Sequence, residues 1–189
     1  WHELAQQYPE TSLYRLQLAR SGHALQIVLR SAGRVEEAEA MGLFAIEMLQ
    51  QLSIETPADD EVREELAKLY TNHGNLLRGT NRLEEAARTH AAAREVLKQL
   101  IANDLDDPDY RQTYSMILNN LAYVRFLQQQ LDEAIELYDE SLAIKEQLSL
   151  DFPQQRKYAE DLALGLINQG SLMERLGRLE PAEVYTRRA

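Results

Sequence analysis

The chain has no cysteine, which removes disulfide frameworks, thiolate metal sites and cysteine nucleophiles together and fits a reducing, cytoplasmic compartment. It is also poor in chain breakers, with eight glycines and five prolines in 189 residues and no Ser/Gly-rich linker. No apolar run approaches the ~18 residues needed to cross a bilayer, so no membrane span is expected. Nor does a basic segment followed by an apolar stretch open the chain, which begins on Trp1. Positive charge is in deficit: 20 Lys and Arg stand against 31 Asp and Glu, a net charge of −11. Phosphate binding needs clustered cations, so nucleic acid is not an expected partner. The acidic excess serves solubility instead.

Catalytic patterns are missing as well. There is no phosphate-cradling glycine loop, no Gly-x-Ser-x-Gly elbow and no triad, so the segment reads as non-enzymatic, with no cofactor. His2, His23, His73 and His90 show no metal-ligand spacing, and surface or interhelix packing is expected of them. The acidic pairs Glu36-Glu37, Glu84-Glu85 and Asp132-Glu133 recur where a helix begins, a place where carboxylates favour the helix dipole.

What the chain does have is a repeat. Ala38, Ala86, Ala134 and Ala182 follow one another at steps of 48 residues, each preceded by similar text such as Gly33-Arg34-Val35-Glu36-Glu37 and Asn81-Arg82-Leu83-Glu84-Glu85. The same step relates Leu4, Leu52, Leu100 and Leu148. It also relates Pro9, Pro57, Leu105 and Pro153, and Asn72, Asn120 and Asn168. Self-similarity at such a period marks units that must stack to bury their apolar faces.

Within each unit the spacing is helical. Tyr110, Tyr114, Ile117, Leu118, Leu121 and Ala122 trace one stripe, and Ala134, Leu137, Tyr138, Ser141, Leu142, Ile144 and Leu148 a broader one. Gly33, Asn81 and Gly177 stand where a left-handed residue closes a helix. Thr56-Pro57 and Asp107-Pro108 each pair an oxygen cap with a proline at the first helical position. The pattern predicts helices near 11–31, 34–54, 57–79, 82–103, 108–128, 131–150, 154–175 and 178–189. It divides one repeat domain into 1–8 (the tail of a preceding unit), 9–56, 57–104, 105–152 and a truncated 153–189, a fragment of a longer array. The two cut ends correspond to successive parts of one second helix, so end-to-end association of copies is a further expectation.

These residues resemble the tetratricopeptide repeat, with its small residue in the first helix and its alanine twelve positions later: Gly74 and Ala86, Ala122 and Ala134, Gly170 and Ala182. The first unit departs from the pattern, with Gln26 at the small site. That family repeats every ~34 residues. The surplus of about 14 is almost four turns, which lengthens two helices without rotating their faces. Asn119-Asn120-Leu121-Ala122 followed by Leu131-Asp132-Glu133-Ala134 resembles the longer repeats of kinesin light chains. Pro9 with Tyr14-Arg15-Leu16-Gln17-Leu18-Ala19 resembles arrays attached to some bacterial serine/threonine kinases. The resemblance implies an all-α, right-handed superhelical solenoid of antiparallel helix pairs, whose first helices line a concave groove that binds a protein or peptide. It also carries the alternative of a regulatory or targeting region of a larger signalling enzyme.

A helical wheel of residues 113–127 places Thr113, Met116, Asn120, Tyr123 and Leu127 on a second face beside the core stripe, with Arg20, Lys68, Asn72 and Asn75 at equivalent places. An amide offers a donor and an acceptor, so Asn72, Asn120 and Asn168 either pair with the backbone of a bound strand or bond a neighbouring helix. Arg20 and Lys68 either meet an acidic ligand group or stay solvated. The Tyr-Arg pairs are assigned to packing, with the arginine stems over apolar surface and their heads on acidic neighbours.

Overall fold

The computed structural model describes residues 1–103 and 107–189. Leu105 and the boundary between 104 and 105 lie outside the described residues. Among these the chain is all-α, with nine helices and no strand: α1 (His2–Gln7), α2 (Ser12–Ser31), α3 (Val35–Glu55), α4 (Asp60–Gly79), α5 (Leu83–Asn103), α6 (Pro108–Leu127), α7 (Leu131–Asp151), α8 (Arg156–Arg175) and α9 (Leu179–Arg188). Packing divides the chain into two compact units, 1–104 and 105–189. The first holds α1 and the pairs α2/α3 and α4/α5; the second holds α6/α7 and α8/α9.

Each pair is closed by the same turn. Gly33, Asn81, Gln129 and Gly177 have φ of 74°, 62°, 63° and 71°. In the first pair the Gly33 N–H donates to the Arg30 carbonyl (3.0 Å) and the Arg34 N–H to the Leu29 carbonyl (2.9 Å), the two bonds of a Schellman motif. Gln129 makes the turn without glycine or asparagine, so its place was not recognisable from residue type.

Helix starts are less uniform. The Asp107 carboxylate accepts from the N–H groups of Asp109 (2.8 Å) and Tyr110 (3.1 Å), and Pro108 begins α6 as the sequence suggests. Thr56-Pro57, by contrast, does not start α4. The Thr56 hydroxyl turns back to donate to the Leu52 carbonyl of α3 (2.7 Å), and Asp59 caps α4 through the N–H groups of Glu61 and Val62. An unsatisfied carbonyl at the end of α3 captured the hydroxyl, and a carboxylate is the stronger acceptor for the next helix.

The core of residues 1–104 joins Leu16 and Ala19 of α2, Ala45, Ile46, Leu49 and Leu52 of α3, and Val62, Leu66 and Leu69 of α4. In residues 105–189, Ile117, Leu118, Ala122, Ala134 and Leu148 are sealed to 1% exposure or less, with Tyr158 and Leu166 beside them. Ala38, Ala86 and Ala134 are fully buried and Ala182 is 8% exposed, the helix contact side that a methyl-sized residue allows. Among the described residues no helix is long and apolar enough to cross a membrane.

Candidate functional site

The first helix of each pair presents a face beside the core stripe. In residues 1–104 it is ionic. Arg20 of α2 reaches Glu61 (2.8 Å) and Glu65 (3.4 Å) of α4. His23 Nδ1 lies 2.7 Å from the Glu65 carboxylate, and its Nε2 lies 2.6 Å from Asn72 Nδ2. The Asn72 amide donates to Nε2, which places the ring proton on Nδ1 and makes His23 the donor to Glu65. That hydrogen bond, reinforced by Arg20 and Lys68, holds the Glu65 carboxyl below its ordinary pKa despite burial. Lys68 pairs with Glu64 one turn back at 2.5 Å. Arg20, Lys68 and Asn72 therefore all have partners within the chain, while the Asn75 carbonyl oxygen is buried with none.

In residues 105–189 the corresponding face is apolar. Met116 of α6 is 49% exposed, and Leu164 and Ile167 of α8 are 58% and 50% exposed. Tyr123 stacks on Phe126 at 6.4 Å, with the Arg175 guanidinium 5.7 Å from the Phe126 ring. Helices α6 and α8 are tied by Gln112 to Asp161, Lys157 to Asp109 (2.9 Å), and Asn168 Nδ2 to Asn119 Oδ1 (3.2 Å). Asn120 is half-buried on the same face.

The structure thus brings Arg20 and Asn72 together through His23, which the sequence assigned to surface or interhelix packing, and through Glu65 of the same helix face. It pairs Asn168 with Asn119, one residue from the expected ladder. His23 and Asn119 occupy one column of the repeat, 96 residues apart, and each bonds the asparagine 49 residues further on. That offset is the signal that could have found them.

The Tyr-Arg pairs tie their helix to a carboxylate at the end of the next one, Arg15 to Glu55 and Arg111 to Asp151 at 3.0 Å, while Arg63, which follows Val62 in the same column, pairs with Asp60 of its own helix. Three of the four histidines are buried between helices, and no metal-binding cluster occurs among the described residues. A cavity of about 410 Å³ lies between α3 and α5 over α4, with Ile46, His73 and Leu77 in its lining and Arg82 bridging Glu39 and Glu85 across it. Burial pushes the His73 imidazole pKa down, which keeps it neutral near neutral pH.

Stacked antiparallel helix pairs with an open first-helix face define an all-α helical-repeat protein. Among solved structures, the chain is similar to BtubC (BKLC) from P. vanneervenii, at a TM-score of 0.70 and 20% identity, over 90% of this chain and 61% of that one. It is also similar to the de novo designed helical repeat protein DHR64, at a TM-score of 0.52 and 17% identity, over 95% of this chain and 90% of that one. The chain therefore spans less than two thirds of BtubC, and at these identities the likeness is one of fold. No family model and no curated protein matches it.

Proposed function

We propose that this chain is a non-catalytic protein-interaction module that takes a peptide segment along the first-helix face of residues 105–189. The observation that carries the reading is the exposure of Met116, Leu164 and Ile167 beside the amides of Asn120 and Asn168. Apolar side chains at half exposure or more gain by being covered, and neighbouring amides serve the polar backbone that a bound strand brings with it. In residues 1–104 the same face is closed by its own ion pairs and hydrogen bonds, so Arg20, Lys68 and Asn72 contribute less to capture than the sequence pattern suggests.

The test is selection of a random peptide display library on the intact chain, followed by titration of recovered peptides against Met116→Asp, Leu164→Asp and Asn120→Ala. Each aspartate variant is expected to weaken binding at least about tenfold, since it strands a charge under the ligand. Helical circular dichroism should not change. Recovery of no peptide, or equal affinity for the variants, rejects the reading. Placement within a larger signalling enzyme such as a serine/threonine kinase rests on the wording of Pro9 and Tyr14 to Ala19 alone, and the full reading frame tests it.

A further inference from the structure

The cavity of about 410 Å³ between α3 and α5 has a polar group in its floor. His73 stands there, in a column that holds Leu25 and Leu121 in two other units. Room above it comes from Ala92, which takes the place of Phe44 in the preceding pair. The Gln26 amide nitrogen lies 3.3 Å from His73 Nδ1, and an amide nitrogen only donates, so Nδ1 accepts and the ring proton sits on Nε2. That N–H has no hydrogen-bond partner among the described residues. His73 is 4% exposed, yet its Nε2 is not sealed from solvent, so the ring edge that opens into the cavity is a donor without an acceptor. Tyr70 in the wall is in the same condition. Its oxygen accepts from the Gln50 amide at 2.7 Å, and its O–H has no acceptor among the described residues.

The acceptors around the cavity are already taken. Arg82 holds both lining carboxylates, Glu39 and Glu85, and the Thr89 hydroxyl donates to the Glu85 carbonyl at 2.8 Å. Among the described residues two carboxylates face two guanidinium groups, those of Arg82 and Arg88, and the imidazole is neutral. The lining therefore has no net charge with which to hold an ion. Leu43, Ile46 and Leu77 supply its apolar part. The volume falls within the range of about 300–1,000 Å³ usual for small-molecule sites. We propose that this cavity binds a small uncharged molecule with an apolar body and a carbonyl oxygen, such as a ketone, ester or amide. The oxygen accepts from His73 Nε2–H, and the body covers Leu43, which is 50% exposed. A buried donor left without an acceptor costs more than an ordinary hydrogen bond returns, so the oxygen decides which molecules stay.

The experiment titrates the intact chain near neutral pH with three probes of similar size and follows the histidine ring nitrogens by NMR. Acetophenone has the carbonyl, α-methylstyrene replaces its oxygen by a methylene group, and benzoate adds a negative charge. In the chain alone His73 is expected as the Nε2–H tautomer. Acetophenone should saturate and move the His73 Nε2 signal, while α-methylstyrene and benzoate should each bind at least about fivefold more weakly. Ala92→Met changes a partly exposed helix position, so it should keep the helical circular dichroism. By filling the cavity it should weaken acetophenone binding at least about tenfold. Equal affinity for acetophenone and α-methylstyrene overturns the proposal, as does tighter binding of benzoate or an Nδ1–H tautomer of His73. So does a failure of acetophenone to saturate up to its solubility limit, or an affinity that Ala92→Met leaves unchanged. None of these readouts involves peptide capture on α6 and α8, so either reading can fail alone.

Discussion

At the scale of single residues the clearest energetic statement is made by His90. Its ring is fully buried, neither nitrogen has a hydrogen-bond partner among the described residues, and burial together with the charge of Arg78 pushes its pKa down to about 4. In the unfolded chain an imidazole titrates near 6.5. Between those values the unfolded chain binds a proton that the folded chain refuses, so stability is full above the unfolded pKa and is lost as pH falls toward the folded one. The loss attributable to His90 is on the order of 3 kcal/mol, since each pKa unit is worth about 1.4 kcal/mol. His73, also displaced downward by burial, adds to the loss in the same direction. Urea unfolding at pH 7 and near pH 4.5 checks it. The chain is expected to lose more stability across that interval than His90→Gln, which cannot take up the proton. Equal losses would mean that the buried ring carries no titration penalty.

At the scale of elements, large and small residues trade places between paired helices. Gly42 of α3 lies against Gln26 of α2, and a Cβ there would overlap the Gln26 amide and lie 2.9 Å from His73 Nδ1. One repeat on, the bulk is on the other helix: a Cβ at Gly74 would sit 2.7 Å from His90 Cε1. The same two positions then hold Ala122 with Tyr138, and Gly170 with Thr186. Lys145 and Gly165 show a second exchange. Where Leu49 and Leu69 share the core of residues 1–104, the Lys145 stem instead fills the place of the missing Gly165 side chain, its Cδ 3.1 Å from where a Cβ would stand. Gly42→Ala should therefore cost about 1–3 kcal/mol by overpacking. Much of that should return when Gln26→Ala is added, giving a coupling of at least about 0.5 kcal/mol in a double-mutant cycle. Additive effects would refute the exchange.

These exchanges also mark where reading the sequence stops. Helix existence and the left-handed turns at Gly33, Asn81 and Gly177 were legible, because each is a property of a residue and its near neighbours. Gln26 looked anomalous because its compensation lies at Gly42, in another column. Asn72 offered itself as a ligand contact, since its partner His23 lies in a neighbouring column of the repeat, where only the recurring 49-residue offset announces it. Thr56 was misassigned for the same reason, with two helix ends competing for one side chain.

At the scale of the whole molecule, each of the two compact units packs one helix pair on another, α3 on α4 and α7 on α8, so local stability depends on how many neighbours a helix has. The extremes are set by burial. Helix α1 has six residues and none buried, and α9 has ten with Ala182 alone buried. Helix α4 buries nine, including Leu66, Leu69, Leu76 and Leu77. A helix of α1's length does not persist on its own hydrogen bonds. What retains it is contact with α2 through Trp1 and Tyr8, whose rings flank Tyr14 at 6.3 Å and 6.0 Å. Amide hydrogen exchange in dilute protein should therefore show α1 and α9 opening independently, near the rates of unstructured peptide, while α4 exchanges only through much larger openings. Protection of α1 comparable to that of α4 would contradict a nearest-neighbour array.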